Sequence, residues 1–187
     1  MSAVMKSEMK SLVFVHGYLG GSQQWPEQVK ALSNDFRVIT PDLPGFGLSD
    51  KMQTPETING LAQYVLDELD KAGVDRFHLV GHSMGGMIVQ EMTAIAPERV
   101  EKLVLYGTGS IGKMPGRFET IEESRQRLMQ DGVKATARRI AATWFLHGED
   151  SASYEGCAAI ALMAQQQAAL SCLSAMESWS GVSALPK

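Results

Sequence analysis

The sequence predicts an α/β fold: a parallel sheet flanked by helices, with a helical cap. Three observations predict it. Four short apolar runs stop at a glycine or a polar residue: "SLVFVHG" (11–17), "FRVITPD" (36–42), "FHLVGHS" (77–83) and "EKLVLYG" (101–107). Helical stretches separate them. From about Met114 onwards the pattern becomes alanine- and methionine-rich and helical, with no clear strand. Apolar runs without alternation suit parallel strands covered on both faces. Strand, helix, strand, helix implies right-handed crossovers.

Each element has its own signal. Before the third run, Thr54 offers a cap with Pro55 in the first turn. Ile58, Leu61, Ala62, Val65, Leu66 and Leu69 follow at helical spacing, and Gly73 ends the helix. Gly85, Ile88, Val89, Met92 and Ala96 form the next helical face, stopped by Pro97. Residues 1–112 are read as the sheet core and 113–187 as the cap. In the cap, "SRQRLMQDGVKATARRIAATWF" carries a break at Gly132, and "SYEGCAAIALMAQQQAALSCLSAMESW" reads as one or two helices. Sites in open parallel sheets lie at the carboxyl ends of strands. His16, Asp42, Ser83 and Gly107 fall there.

Bulk properties narrow the function. A chain of 187 residues suits one domain with a real core. A net charge of −4 without a basic cluster argues against nucleic acid and against a polybasic membrane signal. The apolar runs are far shorter than the roughly 20 residues of a membrane span. The start, "MSAVMKSEMKSLVFVHG", has no signal-peptide layout. Cys157 and Cys172 form neither a disulfide framework nor a zinc pattern, and read as idle or buried thiols of a reducing cytoplasm. No metal or organic cofactor is expected.

Two segments carry chemistry. "LVGHSMGG" (79–86) places Ser83 between a strand and a helix, flanked as Gly-x-Ser-x-Gly. Such a serine sits on a sharp strained turn that lifts its hydroxyl above the sheet. The bland alternative is a helix cap. "VFVHGYLGGSQQW" (13–25) makes a glycine-rich loop after a strand. Its Tyr18 amide, with the Met84 amide, can form a two-donor oxyanion hole. His16 reads as a supporting histidine rather than as the base.

The chain resembles the α/β-hydrolase fold family through "FVHGYLGGSQQW", "VITPDLPGFGLSD", "LVGHSMGG" and "APERVEKLVLYGT", spanning roughly residues 11–108. "RIAATWF" and "AMESWSGVSALPK" resemble its capped branch, which includes small-molecule esterases, enol-lactonases and carbon–carbon bond hydrolases. The resemblance implies a serine hydrolase of a small ester, lactone or activated carbonyl compound, with Ser83 as nucleophile and Tyr18 and Met84 as the hole. It implies that His16, Gly17, Gly81, His82 and Gly85 support the site. Asp42, Gly45 and Gly47 then fix a turn near its mouth. Leu19, Met114, Trp144 and Phe145 line an apolar pocket. Serine at position 83 argues against the dehalogenases and epoxide hydrolases, which use a carboxylate. A lyase or carbon–carbon hydrolase on the same site is the alternative reaction.

In this family the chain order is serine, acid, histidine. After Ser83 the sequence has one histidine, His147, inside the cap. The segments that carry the family's acid and histidine have no match, so the chain resembles the first two-thirds of a hydrolase. Three readings stand open. The sequence is a piece of a longer enzyme. Alternatively His147 is recruited, with Asp131, Glu119, Glu122 or Glu123 orienting it. Or a short form binds ligands without catalysis. The strand near 102–106 is then expected to be an unprotected edge, inviting a homodimer, a swap or strands from another chain.

Overall fold

The computed structural model describes residues 9–184. Strand β1 (Ser11–Val15) is buried along its whole length. Leu12 and Phe14 pack with Trp25 in one apolar cluster, while Val13 and Val15 belong to the other. This two-sided burial is why the run lacks alternation. A short 3-10 turn leads into helix α1 (Pro26–Leu32), whose Val29 and Leu32 cover the Leu12–Phe14 side. Strand β2 (Arg37–Ile39), helix α2 (Ile58–Lys71), strand β3 (Phe77–His82), helix α3 (Met84–Ile95) and strand β4 (Val100–Tyr106) follow. The four strands are parallel, in the order β2-β1-β3-β4. Val15 stands opposite Gly81, and His82 opposite Tyr106. The carboxyl ends of β1, β3 and β4 are therefore level, and the loops that leave them share one rim.

Helix α2 buries the six apolar residues that its spacing singles out, each at 2% exposure or less. Burying one such side chain is worth roughly 1.5–3 kcal/mol. Its start differs from the sequence reading. Thr57, not Thr54, is the N-cap, and its Oγ1 accepts the Gly60 N–H at 3.0 Å. Thr57 stands three residues before that orphan amide, the spacing a capping hydroxyl needs. The Thr54 hydroxyl instead donates to the Pro44 carbonyl at 2.7 Å. Helix α1 escaped the sequence reading because it is seven residues long and has no fully buried side chain.

The segment read as the cap folds into α4 (Ile121–Ala142), α5 (Tyr154–Ala161) and α6 (Gln166–Ser178). Thr120 and Glu123 form a reciprocal capping box at the start of α4. The expected break at Gly132 is present as a backbone with φ 79° and ψ 169°. One apolar cluster runs from Val13, Val15 and Leu79 through Ile88 and Met92 into Leu128, Ile140, Cys172 and Leu173 of the cap. The far end of the cap is stitched back to the loop after β4. Gly112 N–H donates to Trp179 O at 3.1 Å, and Gly181 N–H to Ser110 O at 2.8 Å. Both cysteines are free, Cys172 buried and Cys157 half-buried.

Strand β4 ends the sheet. Leu103, Val104, Leu105 and Tyr106 are 36% to 63% exposed, so the expected open apolar edge is present among the described residues. Among those residues no single helix is long and apolar enough to cross a membrane.

The kink in α4 has a sign-changing test. In a regular helix interior, Gly→Ala stabilises by roughly 1 kcal/mol. At Gly132 nothing lies within 4 Å of an added β-carbon, but φ is +79°. With ψ at 169° this is a region that essentially only glycine adopts, and an L side chain there costs roughly 1–3 kcal/mol. Gly132→Ala should therefore lower the urea midpoint, and a raised midpoint would mean that α4 runs straight through.

Candidate active site

Ser83 closes β3 and opens α3. It adopts φ 54° and ψ −120°, and only Leu19 shares a positive φ among the described non-glycine residues. Such a backbone costs roughly 1–3 kcal/mol, so the surroundings must hold it. Ser83 N–H donates to Tyr106 O at 3.0 Å, and Ser83 O accepts from Gly86 N–H at 2.9 Å. Glycine makes the crossing fit. A β-carbon on Gly85 would collide with the Val15 and His16 carbonyl oxygens. One on Gly81 would meet Val89 and Gly85, and one on Gly86 would meet Thr108. The Ser83 hydroxyl donates to no protein acceptor among the described residues and is half-buried.

The loop after β1 lies against this elbow. A β-carbon on Gly17 would stand 3.0 Å from both His82 O and Ser83 Cβ. Gly20 N–H donates to Gly17 O at 3.0 Å, closing a turn whose third residue, Leu19, has φ 59°. The turn leaves the Tyr18 N–H without an acceptor among the described residues. The Met84 N–H, at the head of α3, is likewise unoccupied. A helix N-terminus carries about half a positive charge. Both expected donors are thus backbone amides without an acceptor among the described residues, one in the loop against the elbow and one at the head of α3.

His16 is fully buried beneath that loop. Its Nε2 accepts the Leu43 N–H at 3.0 Å, because an amide can only donate. Its proton is therefore on Nδ1, which donates to Gly17 O at 2.8 Å. Burial lowers its pKa to about 4, against the opposing pull of Gly17 O and Asp42. His16 is a neutral brace with both nitrogens engaged. Asp42 is a second brace: its carboxylate accepts Ser22 N–H at 2.6 Å, Ser22 Oγ–H at 2.9 Å and Leu48 N–H at 3.1 Å. Gly47, with φ +51°, packs where a side chain would strike that carboxylate.

The expected pocket residues separate. Trp144 and Phe145 line a cavity of about 730 Å³ together with His82, Trp25, Ile160 and Met163. The His82 ring lies among Trp25, Tyr106 and Trp144, with centroids 6.4, 5.2 and 6.4 Å away, and burial lowers its pKa. Met114 lines a different cavity, on the cap. Leu19 is fully buried in the core rather than exposed to either space. His147 is exposed, ahead of a 3-10 turn. The carboxylates considered beside it are otherwise placed. Glu119 pairs with Arg139 at 2.8 Å, Glu122 pairs with Arg125, and Glu123 closes the capping box. Asp131 is exposed at the kink.

The neutral His16 gives stability a pH signature. Its pKa is about 4 in the fold against 6.5 for the ordinary side chain. The unfolded chain therefore binds the extra proton between those values. Stability is complete above pH 6.5 and falls by about 3 kcal/mol as pH drops to about 4. Urea midpoints against pH should show this slope, and His16→Gln should remove it. An unchanged slope in the variant would assign the titration elsewhere. Gly85→Ala should cost several kcal/mol, on the scale of other overpacked sites (about 1–3 kcal/mol or more), read as a fall in melting temperature.

Comparison with known proteins agrees with this geometry. The family profile of the alpha/beta hydrolase fold matches residues 10–145. A 2-hydroxy-6-oxononadienedioate/2-hydroxy-6-oxononatrienedioate hydrolase from Paraburkholderia phymatum is 38% identical over 126 residues, covering 65% of this chain and 43% of that protein. The dihydrolipoyllysine-residue acetyltransferase component of the acetoin cleaving system of Pseudomonas putida is 38% identical over 102 residues, 54% of this chain and 28% of that protein. The crystal structure of a hydrolase from Pseudomonas aeruginosa superposes with a TM-score of 0.82 at 26% identity, covering 93% of this chain and 66% of that one. The chain thus spans less than half the length of these curated relatives. The sequence match over the sheet, and the strained serine within it, make this chain a member of the α/β-hydrolase fold family.

Proposed function

We propose that this chain carries the nucleophile and the oxyanion hole of a serine hydrolase acting on a small ester, lactone or activated carbonyl compound. The observation that carries the reading is Ser83 at φ 54°, ψ −120°, with the amides of Tyr18, in the loop against the elbow, and Met84, at the head of α3, lacking acceptors among the described residues. Ser83 Oγ attacks the carbonyl carbon, and the carbonyl electron pair moves onto oxygen. The two amides hold that oxyanion, each worth roughly 10²–10³ in rate in comparable hydrolases. The serine proton passes to a base and from it to the leaving group. Water then repeats the sequence on the acyl-enzyme. The chemistry calls on no metal or organic cofactor. The cavity beside Trp144 and Phe145 is proposed to hold the apolar part of the substrate.

A serine hydroxyl needs an adjacent base, and among the described residues none of the four histidines hydrogen-bonds the Ser83 hydroxyl. His16 has both nitrogens engaged. His78 lies at the opposite end of β3, 3.5 Å from Glu101. His82 lies among aromatic rings, and His147 is exposed. We therefore assign the base and its acid to polypeptide outside these 187 residues. The exposed edge of β4 is proposed to pair with such polypeptide, or with a second copy. Val104→Lys should suppress that association in light scattering, and a wild-type chain that stays monomeric at high concentration argues against the second copy.

The nucleophile is tested by intact-mass spectrometry of the 20.3 kDa chain with a fluorophosphonate probe. One slow adduct, absent in Ser83→Ala, is the expected result. No adduct after long exposure would remove catalysis from this chain and leave a binding module.

A further inference from the structure

We infer that the cap cavity lined by Met114, Arg117 and Ile121 is a binding site for a small organic monocarboxylate, anchored by the Arg117 guanidinium. The cavity measures about 430 Å³, within the usual range for small-molecule sites. It lies between the loop after β4 and the first turn of α4, with Glu177 of α6 on its wall. Nothing in the serine chemistry uses it.

The argument is a charge count. The carboxylates around the cavity are taken. Glu177 pairs with Lys113 at 3.1 Å and with Arg125 at 2.8 Å, and Glu122 pairs with Arg125 at 2.5 Å. The neighbouring Glu119 is held by Arg139 at 2.8 Å and Arg127 at 3.5 Å. Arg117 has no carboxylate within ion-pair distance among the described residues. The Phe118 ring lies 5.8 Å from its guanidinium carbon, and Glu119 attracts it only from beyond ion-pair distance. A ring face attracts a cation without neutralising it. The side chain is nonetheless half-buried. An arginine cannot shed its proton to relieve a partly desolvated charge, so an external anion is the group that completes it.

The walls select the anion. A carboxylate matches the planar guanidinium fork with two parallel hydrogen bonds. Met114 and Ile121 supply an apolar surface for a short alkyl tail. A phosphate dianion would bring a second charge towards Glu122 and Glu177, which favours a single carboxylate. The buried Tyr18 hydroxyl, without a partner among the described residues, lies within electrostatic reach of Arg117.

The test is calorimetric titration of the intact chain with sodium hexanoate, hexanamide and inorganic phosphate at fixed ionic strength. Hexanoate should bind saturably at millimolar concentration, with hexanamide and phosphate at least roughly tenfold weaker, the scale of a charge-assisted hydrogen bond. Arg117→Gln should weaken hexanoate by a similar factor while keeping the far-ultraviolet circular dichroism. Ser83→Ala should leave it unchanged, which separates this site from the proposed catalysis. Equal binding of hexanoate and hexanamide, undiminished binding in Arg117→Gln, or no saturable binding would each overturn the inference. If Arg117→Gln does not fold, methyl spectra of the wild-type methionines decide: hexanoate should shift Met114, and shifts confined to other methionines would also overturn it.

Discussion

The structure depends on a close crossing at the carboxyl ends of β1 and β3. There the chain reverses from strand to helix within one residue, and the space left is narrower than a methyl group. Gly85 lies against the Val15 and His16 carbonyls, Gly81 against Val89, and Gly17 against Ser83 itself. Side chains at these positions would push α3 off the sheet. That would relax Ser83 towards an ordinary φ and draw the Tyr18 and Met84 amides apart. Packing here sets chemistry directly, because a strained rotor persists only where its neighbours leave it no alternative.

Polar braces fix what packing alone would leave loose. His16 joins the first loop to the Leu43 segment, and Asp42 joins that segment to Ser22 and Leu48. These bonds hold two loops, one after β1 and one after β2, in one register beneath the serine. Leaving such a buried polar group unpaired costs roughly 1–3 kcal/mol. A buried imidazole and a three-fold acceptor carboxylate therefore specify one loop arrangement. From sequence alone His16 reads as a supporting residue and Asp42 as the anchor of a turn. Their hydrogen bonds mark them as scaffold.

Much of this was legible in the sequence because it is local. Unbroken apolar runs identified the four strands, since residues such as Leu12 and Val13 pack on opposite faces. The glycines around Ser83 reported the tight crossing, and the six apolar positions of α2 reported its buried face. What stayed hidden depends on distant partners. Helix α1 is too short to show a period. Thr54 and Thr57 are equally plausible caps until the Pro44 carbonyl claims one of them. Met114 and Trp144 both read as pocket residues, yet separate cavities divide them. Arg117 carried no sequence signal, because an unpaired cation is recognised only after every neighbouring carboxylate has been assigned.

The open edge and the unassisted serine have a common geometry. Strand β4 pairs with β3, and its Tyr106 carbonyl accepts the Ser83 amide. Neighbouring strands lie about 4.8 Å apart. A strand laid on the free side of β4 would thus end about 10 Å from Ser83. A loop leaving that end could carry a long side chain to the hydroxyl. The exposed Leu103, Val104, Leu105 and Tyr106 supply the apolar surface that would recruit it. On the proposed reading, covering this edge and supplying the base are one event. The elbow itself needs no such strand, because the Ser83 amide already pairs with the Tyr106 carbonyl and glycines close the crossing behind it.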